Sequence, residues 1–126
     1  MFRKFVSIFI LATYFLKFTT INANRSSFSD HGYGITKKTV DEVLKLRPTT
    51  QVIVTTDNGS NAIEGVQYAK EKGIIVLVTD HHIAESDVGA DAEINPNHVK
   101  DNTYPYKAIS GTTVIYKALF HYANTY

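Results

Sequence analysis

With 126 residues, 44% of them apolar and 20% charged, the chain can bury one core and has the composition of a globular domain, not of a disordered or fibrous protein. A formal net charge of +1 gives no overall basic field, so a nucleic-acid partner would need a local basic face. The lack of cysteine excludes disulfides, thiolate metal sites and cysteine nucleophiles.

The first segment, Met1 to Lys17, places Arg3 and Lys4 ahead of an apolar run from Phe5 to Leu16. A basic start and such a run fit a secretory signal ending near Ile21-Asn22-Ala23, though the run is short for a membrane span. Val6, Ile10, Thr13, Tyr14 and Lys17 also fit a helix buried on most of its surface, and a weak interfacial anchor is a third reading. Arg25 to Asp30 is polar and turn-rich, and Gly32-Tyr33-Gly34 supplies positive-φ freedom, so this stretch is predicted as a loop. Arg25 offers a two-pronged donor for a phosphate, the alternative being a solvated surface arginine. His31 is a further candidate phosphate contact. Thr36 is predicted to cap a helix whose buried stripe is Val40, Val43, Leu44 and Leu46, with Pro48 closing it.

The central stretch is the most ordered in pattern. Val52 to Val54 and Ile74 to Val78 are short apolar runs rich in β-branched residues, which suits strands buried on both faces of a parallel sheet. Between them Ser60 to Lys72 has helical spacing, with Ala62, Ile63, Val66, Ala69 and Lys70 on one face and Glu64, Gln67, Glu71 and Lys72 on the other. Gly73 stands where a left-handed cap ends a helix. The unit has the size of one βαβ crossover. Beyond it, Ile83 to Asp91 carries Glu85, Asp87 and Asp91, a solvated acidic stretch. Ala92 to Asn97 reads as a short strand running into a turn at Pro96, and Asn102 to Lys107 as a loop. Ser110 is predicted to cap a last helix using Val114, Ile115, Lys117, Ala118, Leu119 and Tyr122. Tyr104, Tyr106 and Tyr122 offer stacking faces for bases, although packing is the commoner use of tyrosine.

Parallel neighbouring strands bring their carboxyl ends to one rim, where open α/β sheets bind ligands. Asp57 follows the first central strand and Asp80-His81-His82 follows the second. Either aspartate alone reads as a helix cap. Carboxylates and imidazoles together at one rim read as a site for a divalent ion that takes mixed oxygen and nitrogen ligands, such as Mn²⁺ or Zn²⁺.

The ordered string Thr56-Asp57-Asn58-Gly59, helix, Val78-Thr79-Asp80-His81-His82 resembles the DHH family of phosphoesterases, and within it the RecJ type of single-strand-specific exonuclease. Arg25, the Gly32-Tyr33-Gly34 turn, Asn95-Pro96-Asn97, Tyr104-Pro105 and Ser110-Gly111 agree in order, so the likeness runs from about Ser7 to Tyr122. It implies a three-layer α/β fold, a mostly parallel sheet with helices on both faces, and it favours a buried helix over a signal for the segment before Phe18. The activity it implies is metal-dependent 5′-to-3′ hydrolysis of single-stranded DNA in repair and recombination, by a cytoplasmic enzyme. Two Mn²⁺ or Mg²⁺ ions about 4 Å apart would serve the complete family site. Carried onto this sequence, Asp57 would bridge the ions and His81 would ligate one. His82 would stand beside the phosphate as ligand or proton carrier, and Asp80 would orient the histidines. Asn58 and Gly59 would turn the backbone close to substrate, with Arg25 and His31 as further contacts.

The sequence departs from the family in three respects. No acid in Met1 to Val6 matches the family's opening Asp-x-Asp, its last metal-binding aspartate would lie past the closing helix, and its second domain is not matched. The expectation is a partial domain over residues 1–126 that alone binds at most one ion, weakly, with little nuclease activity. Two alternatives stand beside it: a DHH phosphoesterase acting on cyclic dinucleotides, oligoribonucleotides or pyrophosphate, and a non-catalytic scaffold with a relic site.

Overall fold

A computed structural model describes residues 18–22, 34–100 and 103–125. The predicted helix before Phe18, together with Arg25 and His31, lies outside the described residues. Strands β1 (Phe18–Asn22), β2 (Val52–Thr56), β3 (Ile75–Thr79) and β4 (Ala92–Ile94) form one sheet in the order β1-β2-β3-β4. Every neighbouring pair is parallel. When strands are added in sequence order, right-handed crossovers place their helices on a single face. Helix α1 (Lys37–Leu46) links β1 to β2 and α2 (Ile63–Glu71) links β2 to β3, and the two helices pack together. The last helix, α3 (Gly111–Thr125), covers β2 and β3 from the other side. The result is the expected α/β architecture of three layers.

Strand alternation divides the core between those layers. Ile53, Val76 and Val78 pack with Val40 of α1 and Val66 and Ala69 of α2, joined by Ile35, Ile74 and Val88. Val52, Val54 and Leu77 meet Ala92 and Ala118 on the other face. Burying each such Val, Leu or Ile contributes about 1.5–3 kcal/mol, so strands buried on both faces hold the domain together. Their near-continuous apolar character follows directly.

Several boundaries differ from the sequence reading. Helix α2 starts at Ile63, three positions after Ser60, because Ser60 is claimed by the polar groups at the sheet rim described below. Ile63 is 37% exposed and Lys70 is also exposed, while Gly65 occupies the buried stripe instead. Lys70 donates to the Gly89 carbonyl at 2.7 Å and pairs with Asp91 at 3.5 Å, which ties α2 to the approach to β4. Asp91 is therefore more than a solvated acid: its Oδ2 accepts the Val76 amide at 2.9 Å. Leu46, placed in the buried stripe of α1 by its spacing, is 77% exposed at the end of the helix. Among the described residues no helix is long and apolar enough to cross a membrane.

Helix α2 approaches the segment before α1 so closely that a Cβ on Gly65 would lie 2.1 Å from the Ile35 carbonyl oxygen. Backbone cannot yield as a side-chain tip can. We expect Gly65→Ala to destabilise the fold by about 1–3 kcal/mol, despite alanine's better helix propensity. A thermal melt of the variant matching the parent would refute this close approach.

Candidate metal centre

The register pairs Thr56 with Thr79, so β2 and β3 end side by side. Asp57 and Asp80 leave the sheet at the same rim, the Asp57 amide donating to the Thr79 carbonyl at 2.9 Å and the Asp80 amide to the Ile94 carbonyl at 3.1 Å. Their environments then diverge. Asp57 is about half exposed, whereas Asp80 is 2% exposed.

Asp80 holds the site in shape. Its Oδ2 accepts the Ser60 amide at 3.0 Å. Its Oδ1 accepts the His81 amide at 2.7 Å, the His82 amide at 3.3 Å and the His82 ring at Nδ1, 2.6 Å away. Burial works against the charged carboxyl, but these donors outweigh it and hold Asp80 below the usual carboxylate range. An ionised carboxylate only accepts, so His82 Nδ1 carries the proton and Nε2 is the lone pair the ring can offer an ion.

His81 Nε2 lies 3.1 Å from Asp57 Oδ1, and ligand atoms of Asp57, His81 and His82 all lie within 4.8 Å of one another. Adjacent ligands on one ion with bonds of about 2.1 Å sit roughly 3 Å apart, so His81 Nε2 and Asp57 Oδ1 already stand at the spacing of two ligands on a shared ion. Two imidazoles and one carboxylate are a borderline-hard set, suited to Mn²⁺, Zn²⁺ or a similar divalent cation. The sequence-predicted ligands are thus brought together.

Backbone conformation places Asp57. It has φ of 63°, the one positive-φ non-glycine among the described residues. Aspartate tolerates this left-handed conformation better than most residues, at a cost of order 1 kcal/mol. Gly59 follows with φ of 116°, and a Cβ there would lie 2.8 Å from Thr55 Oγ1. The Asn58 side chain is turned inward and 1% exposed, its Nδ2 donating to the Thr56 carbonyl at 2.9 Å. Its Oδ1 is buried without a hydrogen-bond partner. The Asn58 amide is thus buried and held by the end of β2.

Four residues that were not among the sequence-predicted site residues form a polar network around Asp80 and the histidine backbone. Ser60 Oγ donates to Glu93 Oε1 at 2.5 Å and accepts from Asn95 Nδ2 at 2.7 Å. Asn95 Nδ2 also donates to the His82 carbonyl at 2.9 Å, and Asn97 Nδ2 to the His81 carbonyl at 2.7 Å. The Asn95-Pro96-Asn97 turn therefore clamps the backbone of both histidines. Glu93 is 5% exposed, and burial pushes its carboxyl up despite the opposing Ser60, His98 and Asn95. His98 Nε2 lies 3.4 Å from Glu93 Oε2, near enough for charge attraction, yet that oxygen makes no hydrogen bond. An acid between Ala92 and Ile94 in a strand packed on both sides was the available signal for this buried group.

Residues 5–125 match the family model of the DHH family, N-terminal domain. The single-stranded-DNA-specific exonuclease RecJ of Haemophilus influenzae is 34% identical over 108 residues, which is 85% of this chain and 18% of that protein. RecJ of Salmonella typhimurium is 42% identical over 88 residues, 69% of this chain and 15% of that protein. The chain therefore spans less than a fifth of the length of these relatives. No solved structure matches it.

The raised Glu93 carboxyl has a consequence for stability. A raised folded-state pKa contributes stability that is full below the ordinary glutamate range and is lost as pH climbs through the folded value. Glu93→Gln keeps an acceptor for Ser60 and removes this titration. In urea melts we expect its stability, measured against the parent, to be more favourable at about pH 8 than at about pH 4. A gap independent of pH would contradict a carboxyl raised by burial.

Proposed function

The chain belongs to the DHH family as a RecJ-like N-terminal domain, and on that basis we propose that it serves metal-dependent phosphodiester hydrolysis of single-stranded DNA. The observation that carries this reading is the convergence of Asp57, His81 and His82 within 4.8 Å at the carboxyl rim of a parallel sheet. A divalent ion such as Mn²⁺ or Mg²⁺ held there supplies a Lewis acid for the phosphate and lowers the pKa of an attacking water. Asp57 brings negative charge to the ion from an exposed position, and His81 and His82 bring neutral nitrogens. Asp80 fixes the ring and proton of His82, leaving that histidine suited to ligate or to carry a proton beside the phosphate. The turn through Asn58 and Gly59 offers backbone close to the scissile group, and Arg25 and His31 are assigned to substrate phosphates.

The same reading assigns attack to the 5′ end of single strands arising in repair and recombination, within the cytoplasm. Among the described residues one carboxylate and two imidazoles form the cluster, a ligand set for one ion and not for two. We propose that residues 1–126 act as part of the complete two-ion site and are nearly inactive alone.

Isothermal titration of the chain with Mn²⁺ should give one weak site, with Asp57→Asn and His81→Ala each reducing affinity roughly tenfold or more. Two tight sites, or affinity indifferent to both substitutions, would end the reading. With the domain placed in a complete two-ion enzyme, release of nucleotides from 5′-labelled single-stranded oligonucleotide, assayed against cyclic dinucleotide and short RNA, separates the RecJ-type substrate from the others of the family.

A further inference from the structure

The closing helix reaches the metal rim. A Cβ built on Gly111, the first residue of α3, would lie 2.0 Å from Asp57 Oδ1, 2.5 Å from its Cγ and 2.7 Å from its Cβ. The carboxylate therefore rests in the space a side chain at 111 would fill. Ser110 caps the same helix, its Oγ accepting the Thr113 amide at 3.2 Å, while its carbonyl accepts the Val114 amide at 3.1 Å. The start of α3 is thus fixed in place: Ala118 packs against the sheet and Val114 is buried one turn before it. On the other side Asp57 is constrained by its left-handed backbone and by the hydrogen bond of its amide to Thr79.

We infer that Gly111 is a positioning residue: by presenting no side chain, it seats the Asp57 carboxylate where His81 Nε2 stands 3.1 Å away. The inference rests on reading Asp57, His81 and His82 as a metal centre. Asp57 cannot clear a methyl group at 111 by turning its carboxylate alone, because its Cβ would lie 2.7 Å from that methyl and is set by a backbone held at both the strand end and the turn. Any substituent there must push the carboxylate out of the cluster or lift the first turn of α3 off the sheet. The first-turn amides of a helix lack intrahelical acceptors, so this end also presents partial positive charge to the carboxylate. Gly111 has no side chain to offer an ion or substrate, and its role is exerted through Asp57.

The test is a double-mutant cycle on the full chain, read by thermal melting and by Mn²⁺ titration. Gly111→Ala in the parent should lower the melting temperature and weaken Mn²⁺ binding roughly tenfold or more. In an Asp57→Gly background, where the opposing carboxylate is gone and glycine suits the left-handed turn, Gly111→Ala should leave the melting temperature unchanged or raise it. If Gly111→Ala alone fails to fold, recovery of a cooperative melt in the double variant supports the inference. An equal loss in both backgrounds, or no recovery, overturns it. Parent-like Mn²⁺ affinity in Gly111→Ala also overturns it. A parent that binds no Mn²⁺ refutes the metal centre instead, and the melting cycle still decides whether the two residues are coupled.

Discussion

The buried Asp80 carboxylate is the interaction on which the rest of the rim depends. A charge that is 2% exposed is tolerable only if its acceptor sites are occupied, and here the donors are the start of the α2 approach, two successive backbone amides and a ring nitrogen. Removing any one donor leaves the others arranged around an underpaired anion. The loops after β2 and β3 are therefore fastened to one another, although each by itself is a short turn without regular structure. Ordering the histidine backbone, fixing a ring tautomer and setting where α2 begins all follow from the need to satisfy one carboxylate.

A second polar cluster continues beneath it. Ser60 links Asp80 through its amide to Glu93 through its hydroxyl, and Asn95 closes the circuit back to the His82 carbonyl. The two acids settle differently in similar seclusion. Four donors reach Asp80 and keep it charged, while Glu93 retains one oxygen without a hydrogen bond and burial prevails. The number of donors, more than depth, decides the direction in which each buried carboxyl is shifted here. Electrostatic order at the rim is thereby graded, from the half-exposed Asp57 inward to a carboxyl that burial biases toward its neutral form.

Much of this was legible in the chain because the physics concerned is local or topological. Parallel strands covered on both sides must be apolar throughout, so β2 and β3 announced themselves, and their shared direction brought Asp57 beside Asp80-His81-His82. What escaped depended on partners distant in sequence. Ser60 looked like the opening of a helix because serine usually is one, but its hydrogen bonds lead to Asp80 and Glu93. Ile63 and Leu46 fit the helical period, yet among the described residues neither is fully covered, and only the assembled sheet shows where coverage by those residues stops. Gly111 was visible as a helix start, but not as the residue against which a carboxylate would rest.

The left-handed backbone at Asp57 also shapes how such a site can decay. Asparagine and glycine tolerate that conformation at least as well as aspartate, and each is one nucleotide away from an aspartate codon. Both erase the negative charge without disturbing the bend. On the proposed reading of Asp57 as a metal ligand, loss of the ion site thus has a short genetic route that leaves the scaffold standing, and folded but silent descendants are an outcome the architecture permits.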